Sequence, residues 1–333
     1  AFLLVQSDKL GVDVNLAESG IGSPVHVDQP NHLASVGKLF TATLIAMLYE
    51  RGRLDFTDKI DAYLDGELLK GLHVYHGRDY SKDITIRHLL TQTSGLYDVF
   101  FPLWEKMRDD PSFTISTREA IAWGKEHMKP VAEPGKGHHY TDTNYYLLGF
   151  IVESITGKPF HEAMHEFIFD PIGMSHAWMH GYSTPAEQAD HPAAGLYIED
   201  TDFSSVPGAH AIDYAGGSVV APLSEYLLFL RSLTSRQLIR RETLELMITD
   251  DVHMGFPTVG FDYGYSIWKF RSIPLLMPPA MYCWGCVGVT GAFMFFHPDT
   301  ESHIIGTFND FAYRSKALSF MARKVIKELL KSQ

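Results

Sequence analysis

The sequence predicts an α+β fold in which one sheet, built from both ends of the chain with helices packed on it, carries a mostly helical inserted domain. Three observations point there. Strand-like segments open the chain, "FLLVQ" and "VDVNL" around "SDKLG". Others return near its end, in "YGYSIWKF", "GAFMFFHP" and "SHIIGTF", and the stretch between reads as helices and loops. Strands supplied by both ends of a chain around a helical middle form one sheet with helices packed on it. The expected division is a sandwich domain from residues 1–54 and 216–333, with a helical insert from 55–215, a single unit overall.

The opening segments break at a glycine-containing turn, the pattern of a hairpin, and "SPVHVD" is expected to add a short strand. From Ser35 to Tyr49, Val36, Leu39, Phe40, Leu44, Met47 and Leu48 recur at helical spacing until "RGRLDF" interrupts them. This helix is apolar nearly all round and therefore central. "ITIRHLLTQ", "STREAIAWGKEH", "TNYYLLGFIVESITG" and "PFHEAMHEFIF" follow as helices between loops rich in Gly, Pro and His. "AGGSVVAPLSEYLLFLRSL" reads as a further helix, and the amphipathic "KALSFMARKVIKELLK" closes the chain.

With 333 residues, 45% hydrophobic and 13% aromatic, the chain can bury a large core. Its net charge of −12 leaves no basic stripe expected to displace counterions from phosphates, which argues against nucleic acid as a partner. The most apolar stretch, Leu39 to Tyr49, is shorter than the roughly 20 residues that span a bilayer, so no transmembrane segment is expected. No secretory leader pattern is visible at Ala1, which favours a soluble, cytoplasmic protein. The two cysteines, Cys283 and Cys286, lie in "CWGC" within an extended segment. Three extended steps separate Cα atoms by about 10 Å, beyond the ~7 Å limit of a disulfide, so two reduced thiols are expected.

The chemistry begins at "HLASVGKLF", where Ser35 and Lys38 stand three residues apart. On a helix, i and i+3 share a face, so Lys38 can reach back to Ser35. A serine hydroxyl needs a neighbouring base to become a nucleophile, and a lysine serves only where burial or a nearby cation lowers its pKa. Lys38 is the one charge between His32 and Glu50, and an isolated lysine on an apolar helix is costly to bury without a purpose. The bland alternative is a helix cap followed by a solvated lysine.

Context favours chemistry. "ASVGKLFTATLIAMLYERGRLDFTDKI", "ITIRHLLTQTSGL", "PGKGHHYTDTNYYLLGFIVESITG", "FIFDPIGM", "AGGSVVAPLSEYLLFL" and "GCVGVTGAFMFF" resemble, in order, motifs of the serine β-lactamase and penicillin-binding-protein superfamily. The likeness is greatest to its class C β-lactamase-like branch, with D-peptidases and family VIII carboxylesterases. It implies a β-lactamase/transpeptidase-like fold, with an antiparallel sheet flanked by helices as an α-β-α sandwich, and a serine hydrolase working through an acyl-enzyme without a cofactor, on a small ester or amide. Ser35 would be the nucleophile, Lys38 its base and Tyr140 a proton shuttle, with the N–H groups of Ser35 and Val289 as the oxyanion hole. Asp142, Cys286 and Gly288 would stand in the substrate-binding motifs. No catalytic role is expected of Gln92.

The sequence departs from that pattern twice. Tyr140-Thr141-Asp142 replaces Tyr-x-Asn, and Asp142 beside Lys38 would favour the ammonium, the wrong direction for a base. Asn144 would point elsewhere on its helix. Aligned on its glycines, "GCVGVTG" puts Cys286 where relatives carry lysine or histidine; aligned instead as Trp284-Gly285-Cys286, it resembles an esterase Trp-Gly-Gly. Either alignment removes the cation that grips a substrate carboxylate, so neutral or cationic esters and amides are expected, with weak or no β-lactamase activity. Two rivals remain: a non-catalytic binding or scaffold protein on the same fold, and a zinc hydrolase using "HEAMH", His161 to His165. The resemblance accounts for the HEAMH segment without a metal, and none is expected there.

Overall fold

The computed structural model describes residues 1–332 apart from 21–23, 257, 259 and 274–276. Its main sheet has eight strands: β1 (Phe2–Ser7), β2 (Val12–Ala17), β3 (Val252–His253), β4 (Phe261–Tyr263), β5 (Trp268–Phe270), β6 (Trp284–Gly288), β7 (Ala292–His297) and β8 (Ser302–Thr307). They run in the order β3-β4-β5-β6-β7-β8-β1-β2, antiparallel throughout. The opening hairpin thus joins the sheet through β1, where Leu4 pairs with Ile305 of β8 and Asn15 of β2.

Period-two alternation sends successive side chains to opposite faces. Phe2, Leu4, Met294 and Ile305 enter the larger core with helix α1 (Gly37–Glu50). Val5, Phe293, Phe295 and Ile304 enter a second core, closed by Ala317, Met321, Ile326 and Leu329 of the last helical segment, 314–331. The sheet is therefore covered on both faces. The same alternation explains the two thiols: Cys283 belongs to the second core and Cys286 to the first, and both are free.

Between the terminal strands lie the expected helices, among them Thr117–His127, α2 (Thr143–Thr156) and the segment starting Phe160–Met164. Two expectations fail. Residues 24–29 of the "SPVHVD" region form coil and a turn, with Gln29 N–H donating to His26 O at 3.0 Å; pairing begins only at Asn31–His32. "AGGSVVAPLSEYLLFLRSL" is not one helix. It holds the end of α3 (His210–Gly217), a strand at Val219–Ala221 and α4 (Leu223–Thr234). Pro222 stops the strand and caps α4, because proline cannot continue a ladder but is tolerated where a helix begins. Asn31–His32 and Trp178–Met179 pair with Val219–Ala221, and this small sheet sets the approach to Ser35.

Helix α2 crosses α3 closely at Gly149. Replacing a mid-helix glycine by alanine ordinarily gains about 1 kcal/mol. Here an added Cβ would lie 2.4 Å from Tyr214 Cε1 and 2.9 Å from Ala215 Cβ. Overpacking a buried contact costs about 1–3 kcal/mol, so the clash wins. Gly149→Ala is expected to lower the melting temperature; a higher one would mean that α2 and α3 have room to separate.

Candidate active site

Ser35 occupies a 3-10 turn, Ala34–Val36, just before α1. The turn is strained, since Ala34 has φ 48°, and it is held on two sides. His32 Nδ1 accepts the Ala34 N–H at 3.1 Å, which leaves Nε2 to donate to the buried Asp213 carboxylate at 2.8 Å. On the other side β6 runs so close that a Cβ on Gly288 would lie 2.3 Å from Leu33 O. The next strand residue facing the turn is Cys286, whose Sγ donates to Ser35 O at 3.2 Å.

Lys38 is fully buried, and its ammonium spends each of its protons. Nζ donates to Ser35 Oγ at 2.9 Å, to Gly216 O at 2.8 Å and to Asp142 Oδ1. Gly216 must lack a side chain, because a Cβ there would meet Asp142 Oδ1 at 2.7 Å. The rings of Tyr140 and Tyr145 lie 5.2 and 5.0 Å from Nζ. Burial is the largest single influence and pushes the Lys38 ammonium toward its neutral form, but the charge and hydrogen bond of Asp142, with Tyr145 and Asp213, together outweigh it and hold the pKa above its usual value. Burial also drives the Tyr140 hydroxyl well up, reinforced by Asp142 and opposed by a hydrogen bond from Ser35. Burial raises the Cys286 thiol to about 12, with Lys38 pulling the other way, so it is no thiolate.

In front of Ser35 opens a cleft of about 850 Å³. Ser35, Tyr140, Gly288 and Val289 line it, together with apolar side chains such as Leu96, Phe261 and Trp268. Asp142 and Cys286 instead sit behind Ser35, against Lys38 and the serine carbonyl. Asn144 turns away to Gln92 Oε1 (2.5 Å) and Ser94, as expected, while Gln92 clamps Thr141 through two hydrogen bonds and has a structural task.

Two groups escaped the sequence reading. One is the His32–Asp213 support. The other is Asp98, on the cleft wall, whose Oδ1 accepts from the N–H of Asp142 (3.0 Å), the Thr141 hydroxyl (3.3 Å) and the Phe100 N–H (3.5 Å). Among the described residues no cationic side chain forms an ion pair with it. Burial, followed by repulsion from Asp142, lifts its pKa to about 7. The only signal was a carboxylate in "SGLYDVF", whose partner stands 44 residues later.

The histidine motif takes other roles. His161 stacks near Tyr182, and His165 Nε2 shares a 3.0 Å hydrogen bond with Ser183. Elsewhere His26, Asp28 and His191 bring ligand atoms within 4.8 Å of one another. The two imidazoles stack in parallel, 3.6 Å apart, so their in-plane lone pairs do not converge on one point.

The Beta-lactamase family model matches residues 2–324. The chain belongs to this family. It is 33% identical over 182 residues to penicillin-binding protein 4* of Bacillus subtilis, covering 53% of this chain and 36% of that protein. It is 29% identical over 246 residues to a monacolin J acid methylbutanoyltransferase of Aspergillus terreus, covering 67% and 58%. The chain thus spans only about a third to somewhat over half of these curated relatives. A D-stereospecific amidohydrolase from Streptomyces sp. superposes with a TM-score of 0.77 at 23% identity over 97% of this chain and 93% of that one. The fold is therefore β-lactamase/transpeptidase-like, as the sequence implied.

Asp98 makes stability depend on pH. Its folded-state pKa lies above the unfolded value, so its contribution is complete below about pH 4 and is lost as pH rises through about 7. Asparagine mimics the protonated acid and cannot lose that proton. Between these limits the melting temperature of wild type is expected to fall relative to Asp98→Asn; parallel curves would show that Asp98 ionises freely.

Proposed function

We propose that the protein is a serine hydrolase that forms an acyl-enzyme on Ser35, acting as an esterase or amidase on small substrates. The observation that carries this is the 2.9 Å hydrogen bond from buried Lys38 Nζ to Ser35 Oγ at the floor of an open apolar cleft. Lys38 starts as an ammonium and can act as base only after passing a proton to Asp142, whose carboxyl burial pushes up. The resulting neutral pair suits a site from which substrate has excluded water. Lys38 then takes the Ser35 proton as Oγ attacks the carbonyl, and the N–H groups of Ser35 and Val289 receive the oxyanion. Tyr140, protonated at rest, delivers a proton to the leaving group and is reprotonated from Lys38.

The cleft's charge sets its substrates. Asp98 is the carboxylate on its wall, while Asp142 lies behind Ser35; with a pKa of about 7, Asp98 becomes anionic only as pH rises through that value. Once it is ionised, two like charges about 5 Å apart at an effective dielectric near 20 repel by roughly 3 kcal/mol. Arg314 also reaches the cleft, but at its exposed rim, where its guanidinium stacks 4.0 Å from the Phe311 ring. Neutral or cationic esters and amides are favoured, and β-lactamase activity is weak or absent. The clamp of Asp142 on Lys38 also favours a second reading, a non-catalytic binding protein.

A fluorophosphonate probe decides between them: it should label Ser35, alongside turnover of short p-nitrophenyl esters. No label and no turnover would leave the binding protein. Lys38→Ala and Tyr140→Phe are each expected to slow labelling at least about a hundredfold. Asp142→Asn removes the counter-charge and so lowers the Lys38 pKa, moving the acid limb of the labelling profile to lower pH. An unmoved limb would separate Asp142 from the base.

A further inference from the structure

Two strained residues flank the hydrogen bond between His32 and Asp213. Ala34, immediately before Ser35, has φ 48°, and Tyr214, immediately after Asp213, has φ 34° inside α3. Such residues persist only where their surroundings over-determine them, and they cluster at functional sites. The 2.8 Å bond from His32 Nε2 to Asp213 ties one strained segment to the other across 181 residues of chain. Gly217 shows how tightly the two are drawn together: a Cβ there would lie 2.2 Å from Asp213 Oδ1 and 3.1 Å from the Ala34 carbonyl carbon.

The imidazole has little freedom between them. The backbone of His32 pairs with Val220 in the small sheet, and its ring lies 5.9 Å from both His180, which it meets edge-on, and Phe203. Burial pushes His180 down to about 4, so at neutral pH it brings no charge to compete for Asp213. A buried N–H needs an acceptor, and that of Ala34 finds His32 Nδ1 at 3.1 Å. Nδ1 accepts only while it carries no proton, so the turn depends on which ring nitrogen is protonated.

We propose that His32 is a positioning residue for Ser35, with Asp213 holding the imidazole proton on Nε2 so that Nδ1 stays free to take the Ala34 N–H and fix the nucleophile turn. Lys38 and Cys286 hold Ser35 through its Oγ and its carbonyl. The Ala34–Ser35 peptide, which carries the Ser35 N–H, is set from the side of His32 and Asp213 instead. Ser35 must aim Oγ at Lys38 and its N–H into the cleft at once, and a displacement of about 1 Å in such an arrangement costs on the order of a hundredfold in rate. The consequence for turnover rests on the hydrolase reading; the position of the proton does not.

Two substitutions in the full chain separate positioning from a mere tie between segments. In His32→Asn the side-chain oxygen can accept the N–H two residues on, as in an Asx turn, but the donor to Asp213 is lost. In His32→Gln the longer amide can still donate to Asp213 but leaves the Ala34 N–H without Nδ1. Asp213 keeps its charge in both, so its pull on Lys38 is unchanged. Were His32 only a tie, glutamine would be the better replacement. The proposal predicts the reverse: His32→Gln lowers kcat for a p-nitrophenyl ester about a hundredfold with KM little changed, and His32→Asn recovers at least about tenfold of that loss, per folded molecule. Nitrogen-15 spectra of histidine-labelled wild type at neutral pH, assigned by the resonances missing in His32→Asn, should place the proton on Nε2, and they decide the matter even where a variant does not fold. They also need no substrate. A wild type that neither labels nor turns over would end the hydrolase reading, and the two variants would then be ordered by hydrogen exchange at the Ala34 amide, fast in His32→Gln and slow in His32→Asn. A proton on Nδ1, a His32→Gln that matches wild type, or a His32→Asn no better than His32→Gln would each overturn the proposal.

Discussion

A buried ammonium dictates the centre of this molecule. Lys38 has no access to water, and removing such a charge from water costs several kcal/mol unless partners replace the hydration shell. One of its three partners, Ser35, is a turn away, and the other two come from distant segments: Asp142 before α2 and Gly216 in α3. These segments can meet only where their backbones lie almost in contact. Hence a Cβ on Gly37 would fall 2.9 Å from Gly217 Cα, and Thr41 Oγ1 donates to Ala215 O at 2.7 Å one turn beyond Lys38. The demand for hydrogen bonds at one nitrogen thus becomes a packing constraint on two helices.

The same demand determines how the site holds protons. One cation faces Asp142 directly, with Asp98 joined to Asp142 through its backbone N–H. A single ammonium cannot neutralise both carboxylates, so the less well paired of the two, Asp98, keeps its proton toward neutrality. Asp142 therefore does more than pair with Lys38. Its charge helps to keep Asp98 protonated toward neutrality, so the cleft wall turns anionic only as pH rises through about 7, which fits a family fold whose activities vary with the site built on it.

Much of this was legible in the sequence, for physical reasons that differ by residue. The hairpin, the late strands and α1 announced themselves because their burial is periodic. Ser35, Lys38 and Tyr140 were visible through local spacing and ordered motifs, and the Lys38–Asp142 pair through charge. Asp98 and the His32–Asp213 bond were not visible, because each acts through a partner 44 or 181 residues away and neither lies in a periodic pattern. Pro222 was read through because the apolar residues on both its sides suit a helix, whereas its missing N–H ends the strand.

The most direct measurement of the account is mass spectrometry of the protein quenched in acid during turnover of a neutral activated ester. The account predicts one acyl group per chain, located by peptide mapping on the segment containing Ser35, with a longer-lived adduct when the ester also acylates Tyr140→Phe. An acyl group on any other residue, or ester turnover with no adduct at all at saturating substrate and no loss of turnover in Ser35→Ala, would contradict it.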